Sequence, residues 1–377
     1  MRIGFDGKRA VQNFTGLGNY SRYVADILCH FYPENDYVLY APKKRENKRM
    51  NLLTGQYRQL TLAYPATFFW KKLSSLWRVW GITSQLEKEG IELFHGLSNE
   101  LPLNIHKSRI KSIVTIHDLI FLRYPQYYQS IDRKIYTYKF RKACENADKI
   151  IAISECTKRD IIRYFNIPDD KIEVVYQGCD VSFTHPVTEE KKKEVRKKYQ
   201  LPDHYILNVG SIEERKNILA AVQALPMLPQ HIHIVIVGRR TGYTEKVEQF
   251  IKDNGLGERV HIISNVPFND LPAFYQSAEI FVYPSRFEGF GIPIIEALYS
   301  GTPVVAATGS CLEEAGGPDS IYVNPDDITG LADAFKQIYS NSDKRKNMVE
   351  KGREFAKRFS EKQQSEEIIN IYKKLIR

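Results

Sequence analysis

The sequence predicts an α/β protein of two doubly wound parallel sheets in succession, with a cleft between their C-terminal strand edges. Three observations carry this. Short apolar runs alternate with amphipathic stretches along the chain. The alternation pauses at a charged segment, residues 186–200, and then restarts. At 377 residues the chain is long enough for two domains of ordinary size. The expected division is a first domain at 1–185, a linker at 186–200, a second domain at 201–359 and a final helix at 360–377.

The first half reads as follows. Met1-Arg2-Ile3-Gly4-Phe5-Asp6 is an opening strand and lacks the apolar core of a signal peptide. Thr15-Gly16-Leu17-Gly18-Asn19-Tyr20 is a glycine loop, followed by an amphipathic helix through Tyr23, Val24, Ile27 and Leu28. Such a loop lets a ligand come close to the backbone, and it reads equally as a plain turn. It has neither the third glycine of a dinucleotide fingerprint nor the Gly-Lys-Ser/Thr of a phosphate loop.

Residues 68–80 hold all three tryptophans. Phe69, Trp70, Leu73, Leu76, Trp77 and Trp80 fall at helical spacing on one face, with Lys71, Lys72, Ser75 and Arg78 elsewhere. A helix of that kind either packs on its own domain or lies in a membrane interface. Residues 91–99 read as strand and loop, and Ile113–Ile116 is a strand ending at His117-Asp118. Polar residues at the end of a parallel strand face the ligand crevice of such sheets. Tyr124, Tyr127, Tyr128, Tyr136 and Tyr138 then follow in an aromatic, basic segment, to meet an acceptor or to pack. Residues 149–154 form a further strand, with Ser154 capping the next helix, and 171–180 close the domain. The run from Glu189 to Lys198 is expected as a solvated helix face.

In the second half Tyr205–Val209 is a strand that ends in Gly210-Ser211-Ile212-Glu213-Glu214-Arg215-Lys216-Asn217, and a helix starts near Ile218. Two adjacent cations between a strand and a helix suit a diphosphate; on this stretch alone they also suit plain surface charge. Strands are expected at His233–Val237, Val260–Ile263, Ile280–Tyr283 and Val304–Ala306. The Ile280 strand runs into Pro284-Ser285-Arg286-Phe287-Glu288-Gly289-Phe290-Gly291-Ile292-Pro293, a glycine-containing turn at a helix start. Pro293 suits the first turn, where a missing N–H costs nothing. Backbone N–H groups and the positive helix end there can hold an anion or a cluster of hydroxyls. Glu288 lies on the loop and Glu296 eight residues later, about two helical turns on. The pair can grip hydroxyl groups on either side of an anion; alternatively Glu288 favours the helix start and Glu296 is solvated.

Glu288 to Glu296 within Ser285-Arg286-Phe287-Glu288-Gly289-Phe290-Gly291-Ile292-Pro293-Ile294-Ile295-Glu296-Ala297, followed by Gly301-Thr302-Pro303-Val304-Val305-Ala306, resembles the signature of retaining nucleotide-sugar glycosyltransferases of the GT-B fold. The family is family 4, the mannosyltransferase-like glycosyl transferases group 1. The resemblance covers nearly the whole chain. It implies two Rossmann-like domains, the first for the acceptor and the second for the donor, with the final helix crossing back to the first. It implies sugar transfer from a nucleotide diphosphate sugar to a hydroxyl, with GDP-mannose as the first donor to try. The acceptor it implies is a glycan or lipid-linked glycan in bacterial cell-surface polysaccharide assembly. Arg215 and Lys216 stand at the family's diphosphate position, with Gly210 and Ser211 before them and Val266 near the nucleobase. Glu288 would hold sugar hydroxyls and Glu296 the ribose, beside Gly289, Phe290, Gly291 and Ile292. Gly16 and Gly18 match the N-terminal glycine loop, and His117 borders the sugar. Ser310-Cys311-Leu312-Glu313-Glu314 lacks the family's usual proline, so no site residue is carried over from it.

No cofactor and no metal are expected: no Asp-x-Asp motif stands near the phosphate position, and the two cations take the metal's role. Five cysteines without a Cys-x-x-Cys pair indicate a reducing compartment, not a zinc or disulfide framework. A composition of 43% hydrophobic and 26% charged residues is that of a soluble protein, expected in the cytoplasm, with the tryptophan segment leaving open a peripheral contact with the inner membrane face. No apolar run of about 18 residues occurs. The net charge of +9 suits anionic ligands or an anionic membrane face, but the basic residues are dispersed and no nucleic-acid motif appears. A glycosyl phosphorylase or nucleotide-sugar epimerase on the same fold is the rival enzyme, though no pyridoxal-phosphate lysine environment is identifiable. A non-catalytic nucleotide-sugar scaffold is the rival of another class.

Overall fold

Strands that read as continuous β-branched and aromatic runs, such as Ile280-Phe281-Val282-Tyr283, are buried on both faces. That is what a parallel sheet covered by helices demands. The computed structural model describes residues 1–13 and 15–376 and contains two units. The first comprises Met1–Gln177 and Glu361–Arg377, the second Gly178–Ser360; Phe14 and Arg377 lie outside the described residues.

The first unit holds β1 (Arg2–Asp6), β2 (Asp36–Tyr40), β3 (Leu60–Ala63), β4 (Leu93–Gly96), β5 (Lys111–Ile116), β6 (Lys149–Ala152) and β7 (Ile172–Val174). All pairings are parallel, in the order β3-β2-β1-β4-β5-β6-β7. Alternate strand residues feed two cores. Ile3, Phe5, Leu93 and Ile113 pack with the helices Gly16–Phe31 and Glu361–Ile376. Phe94, Val114 and Ile116 pack on the other face with Trp77, Leu86 and Phe165.

The second unit holds β8 (Tyr205–Val209), β9 (His233–Val237), β10 (Val260–Ile263), β11 (Ile280–Tyr283), β12 (Val304–Ala307) and β13 (Ile321–Val323). They form a parallel sheet in the order β10-β9-β8-β11-β12-β13. In both sheets the chain winds outward, returns past its first strand and continues on the other side. The switch points therefore fall between β1 and β4 and between β8 and β11, where such sheets bind ligands.

Three expectations are corrected. Thr15–Tyr20 is not a loop: a helix starts at Gly16, and Gly18 is in its first turn. A Cβ on Gly18 would lie 2.0 Å from the Asn13 carbonyl oxygen, whereas one on Gly16 would meet open space. Residues 68–80 are not one amphipathic helix but short helices at Phe68–Lys72 and Ser74–Leu76, then a π turn at Trp77–Gly81. Trp77 is fully buried and donates from Nε1 to Gln85 Oε1 at 3.1 Å, while Phe69, Leu73, Leu76 and Trp80 are exposed. The wider π turn inserts a residue and rotates the pattern, so one apparent face becomes two. Finally, the helix expected at Glu189–Lys198 is present as Glu189–Tyr199, but residues 186–200 lie inside the second unit, which begins at Gly178, and do not stand as a linker between the two. Lys191, Lys198 and Tyr199 converge on buried Asp270 at 3.0, 2.8 and 2.9 Å. Burial opposes that carboxylate's charge, but these partners prevail and hold it down to about 2.

Candidate active site

At the second switch point the loop after β8 meets the loop after β11. The backbone N–H of Arg286 donates to the Arg215 carbonyl at 2.9 Å. Asn217, in the left-handed region at φ 54°, donates from Nδ2 to the Pro284 and Pro325 carbonyls at 3.3 and 2.8 Å. These bonds fix the two loops, and the charged side chains close between them. Arg215 Nη1 lies 2.8 Å from Glu288 Oε2 and also donates to the Phe287 carbonyl. Lys216 Nζ donates to the Tyr283 hydroxyl at 3.0 Å and lies 3.6 Å from Glu288 Oε1. That hydroxyl donates onward to Glu288 Oε1 at 3.2 Å, and Ser285 Oγ adds a bond at 2.8 Å.

Burial works against the Glu288 carboxylate, but Lys216, Arg215 and Ser285 outweigh it and hold its pKa at about 2. The same pairing raises Lys216 despite its own desolvation. Glu213 approaches Arg215 and Arg239, each at 3.8 Å, so three cations against two carboxylates leave the cluster with one net positive charge. Gly210 closes the site from below, with φ 153°; a Cβ there would sit 3.1 Å from Lys216 Nζ. The Ser211 hydroxyl donates to Glu213 at 2.6 Å.

The turn continues through Gly289 and buried Phe290, whose ring meets Phe359 edge-on at 5.6 Å. Gly291, at φ 145°, is the N-cap of helix Ile292–Ser300, with Pro293 in the first turn. A Cβ on Gly291 would crowd Ala315 and Leu312 at 3.2 Å. On this helix Glu296 accepts from the Tyr275 hydroxyl at 2.6 Å. Burial outweighs that bond and pushes Glu296 up to about 7. Val266, half-buried, follows β10 two strands along the same sheet edge.

In the first unit His117 stands at the end of β5, only 6% exposed. Its Nε2 donates to the Leu97 carbonyl at 2.9 Å, and Nδ1 receives Gln177 Nε2 at 3.2 Å. Burial keeps the ring neutral, with its pKa lowered to about 4. Both ring nitrogens are engaged, so a new bond from the ring to a ligand replaces one of these. Gly16 and Gly18 sit on the helix that also carries Tyr20, whose ring meets His117 edge-on at 4.6 Å.

Residues 188–355 match the family model of glycosyl transferases group 1, and residues 21–183 that of glycosyltransferase family 4. O-antigen chain mannosyltransferase B of Escherichia coli is 31% identical over 289 residues, 75% of this chain and 74% of that protein. The chain is a family 4 glycosyltransferase. O-antigen chain mannosyltransferase RfbU of Salmonella typhimurium is 30% identical over 60% of each chain. A glycosyltransferase from Rickettsia africae superposes with a TM-score of 0.79 at 20% identity, over 100% of this chain and 98% of that one. Anabaena HepE in complex with UDP-glucose gives 0.78 at 16% identity, over 100% of each chain. These likenesses show that the glycosyltransferase has the GT-B fold.

The structure brings Gly210, Arg215, Lys216 and Glu288 together in the second unit; His117, Gly16 and Gly18 lie in the first. Several neighbours escaped the sequence reading. Tyr283 and Ser285 bond Glu288 and stand in the same motif, but they read as a strand end and a loop residue. Tyr275 has no sequence signal. In the first unit Arg78 forks onto Asp6 at the end of β1, with Nε 3.1 and 3.2 Å from its two oxygens, and reaches Glu100 at 2.5 Å. Its position in an aromatic segment concealed this. A second buried chain runs from Tyr372 on the final helix to His95 (2.6 Å), Thr115 (2.8 Å) and Tyr20 (3.2 Å).

Proposed function

We propose that this glycosyltransferase moves a mannosyl residue from GDP-mannose to a hydroxyl of a glycan or lipid-linked glycan in cell-surface polysaccharide assembly. Transfer retains the anomeric configuration and needs no metal ion. The observation that carries the reading is the convergence of Arg215 and Lys216 on Glu288 at the switch point of the second sheet. The O-antigen mannosyltransferases among the relatives support the choice of sugar and pathway.

The chemistry follows from charge. The anomeric C–O bond breaks and its electron pair leaves with the diphosphate, while the ring carbon becomes oxocarbenium-like. Lys216 and Arg215 neutralise the departing charge, aided by the helix start at Ile292. Glu288 orients these cations and accepts from sugar hydroxyls, and Glu296 accepts from the ribose. Val266 lies beside the base. The acceptor oxygen attacks on the face the diphosphate leaves, and its proton passes to a phosphate oxygen. No side chain acts as a covalent nucleophile.

A thermal-shift panel of GDP, UDP, ADP and their sugars, with and without EDTA, tests the donor half. A ligand at about 100 times its dissociation constant stabilises by about 2.7 kcal/mol. The expected result is a shift with GDP and GDP-mannose that EDTA leaves unchanged. Silence with every nucleotide sinks the donor site, and an inverted anomeric proton in the product sinks retention.

A further inference from the structure

Among the described residues, nine of the twelve exposed large hydrophobic side chains lie in two short segments of the first unit. One group is Phe68 (73% exposed), Phe69, Leu73, Leu76 and Trp80, on the broken helix at residues 68–81. The other is Ile131 (70% exposed), Ile135, Tyr136 and Tyr138, on helix Ser130–Asn146. The segments are neighbours. Glu100 pairs with Arg78 of the first at 2.5 Å and with Lys139 of the second at 3.6 Å. Leu103 bridges them as well, donating its N–H to Val79 at 2.9 Å and accepting from Asn146 Nδ2 at 3.0 Å.

The exposed side chains are held from behind. Trp77 is buried. The Trp70 ring packs so closely on Gly81 that a Cβ there would lie 2.6 Å from it. The segment is thus anchored by two tryptophans and presents its remaining apolar groups to solvent. Soluble proteins seldom leave so concentrated an apolar surface uncovered. The charge around it is predominantly positive. Residues 67–81 hold Lys71, Lys72 and Arg78 and no acid, and Ser130–Asn146 carries five cations against Asp132 and Glu145. Lys72 Nζ lies 4.7 Å over the Phe68 ring, so its ammonium sits at the level of the apolar tips.

We infer that this surface docks the enzyme on an anionic lipid bilayer, with Phe68, Phe69, Trp80, Ile131 and Ile135 entering the headgroup region and the flanking lysines meeting lipid phosphates. Alternating apolar tips and cations on mutually braced helices suit a bilayer interface, where aromatic rings settle and basic side chains snorkel. A protein partner would need acidic groups between its apolar contacts at the same spacing. The inference deepens the reading of a lipid-linked acceptor, and vesicle binding is read without any transfer, so each can fail alone.

The test is flotation of the full chain with phosphatidylcholine vesicles, with and without phosphatidylglycerol, alongside the nucleotide thermal shift. The wild type is expected to float with anionic vesicles only. Phe68→Ser with Phe69→Ser, Ile131→Ser with Ile135→Ser, and Lys71→Glu with Lys134→Glu should each weaken binding more than about tenfold, leaving the nucleotide shift unchanged. Absent binding, equal binding to uncharged vesicles, or unaffected variants would overturn it. So would a wild-type dimer in solution that these substitutions dissolve, because a second copy would then cover the surface.

Discussion

The Tyr275 hydroxyl donates to Glu296 at 2.6 Å, and yet burial raises that carboxyl to about 7. An acid held near neutrality in the apolar back of a site is disfavoured in its charged form until a ligand pays it with hydroxyls. Because the folded pKa lies above the unfolded one, the contribution of Glu296 to stability is full below about pH 4.5 and is lost as pH rises to about 7. The loss is at most about 3 kcal/mol. Glu296→Gln keeps an acceptor for Tyr275 and removes the charge. It is expected to melt above the wild type at about pH 8, with the gap closing near pH 4.5. Nucleotide affinity of the wild type should fall as pH drops below about 7, up to about tenfold per unit, and the Gln variant should lose affinity and this slope together. Calorimetric titration across that range decides it; a slope that survives in Glu296→Gln assigns the proton elsewhere.

The Glu288 cluster makes the opposite prediction. With its pKa held at about 2, Glu288 is ionised throughout the working range, and no titration of activity belongs to it. Lys216→Ala removes the charge nearest Tyr283 and should cut kcat roughly a hundredfold or more with little change in melting temperature. Glu288→Ala leaves Arg215 and Lys216 without their shared carboxylate. It should bind free nucleotide diphosphate at least as tightly as the wild type while losing transfer. Either variant with near-normal turnover would refute the assignment of roles.

What the sequence made legible follows from how much signal one segment carries. β9, β10 and β11 lie where their apolar runs begin and end: β11 is buried throughout and β9 in all but its first residue, while the edge strand β10 is half-buried and carries His261 within its run. The edge strands at Leu60–Ala63 and Ile321–Val323 are short and only partly buried, whereas Asp36–Tyr40 carries the buried run Tyr37-Val38-Leu39-Tyr40 and was legible but not read. Arg215, Lys216 and Glu288 were readable because chemistry-bearing loops follow strands. Their partner Tyr283 closes a strand, so it read as core. The Asp6–Arg78–Glu100 fork, the His95–Tyr372 bond and the Tyr275–Glu296 bond join residues far apart in the chain, and only tertiary packing brings them together. The tryptophan segment misled because a π turn changes the period on which the reading depends.

Cys311 lies under the glycine turn, with Sγ 3.0 Å from the Glu288 carbonyl and 2.8 Å from that of Phe290. Its one proton is shared between them, so the thiol braces the loop that aims Glu288. Cys311→Ser keeps a donor and should stay close to wild type. Cys311→Val removes it and should lower kcat/KM by roughly fivefold, the worth of about 1 kcal/mol. Equal kinetics for the two variants would leave the thiol as mere packing.

His95 and His117 set the acid limit of the first unit. His95 is fully buried against Tyr372 and Thr115, and desolvation, with His117 nearby, lowers it to about 3; His117 is lowered to about 4. Folded pKa values below the unfolded ones mean that the unfolded chain takes up protons first as pH falls. Their contribution to stability is therefore complete above about pH 6.5 and declines towards pH 4, by up to about 3 kcal/mol for each ring, against the opposite trend of Glu296 over the same window. Asp270 and Glu288, both held near 2, lose their contribution only below about pH 4.5, so the two effects separate on the pH axis. Urea melts at half-unit intervals between about pH 7.5 and 4.5, taken in a Glu296→Gln background that removes the opposing slope, read it. His95→Gln should be less stable at neutral pH and flatter below pH 6.5; a variant as steep as the wild type would mean that His95 already protonates in the folded chain.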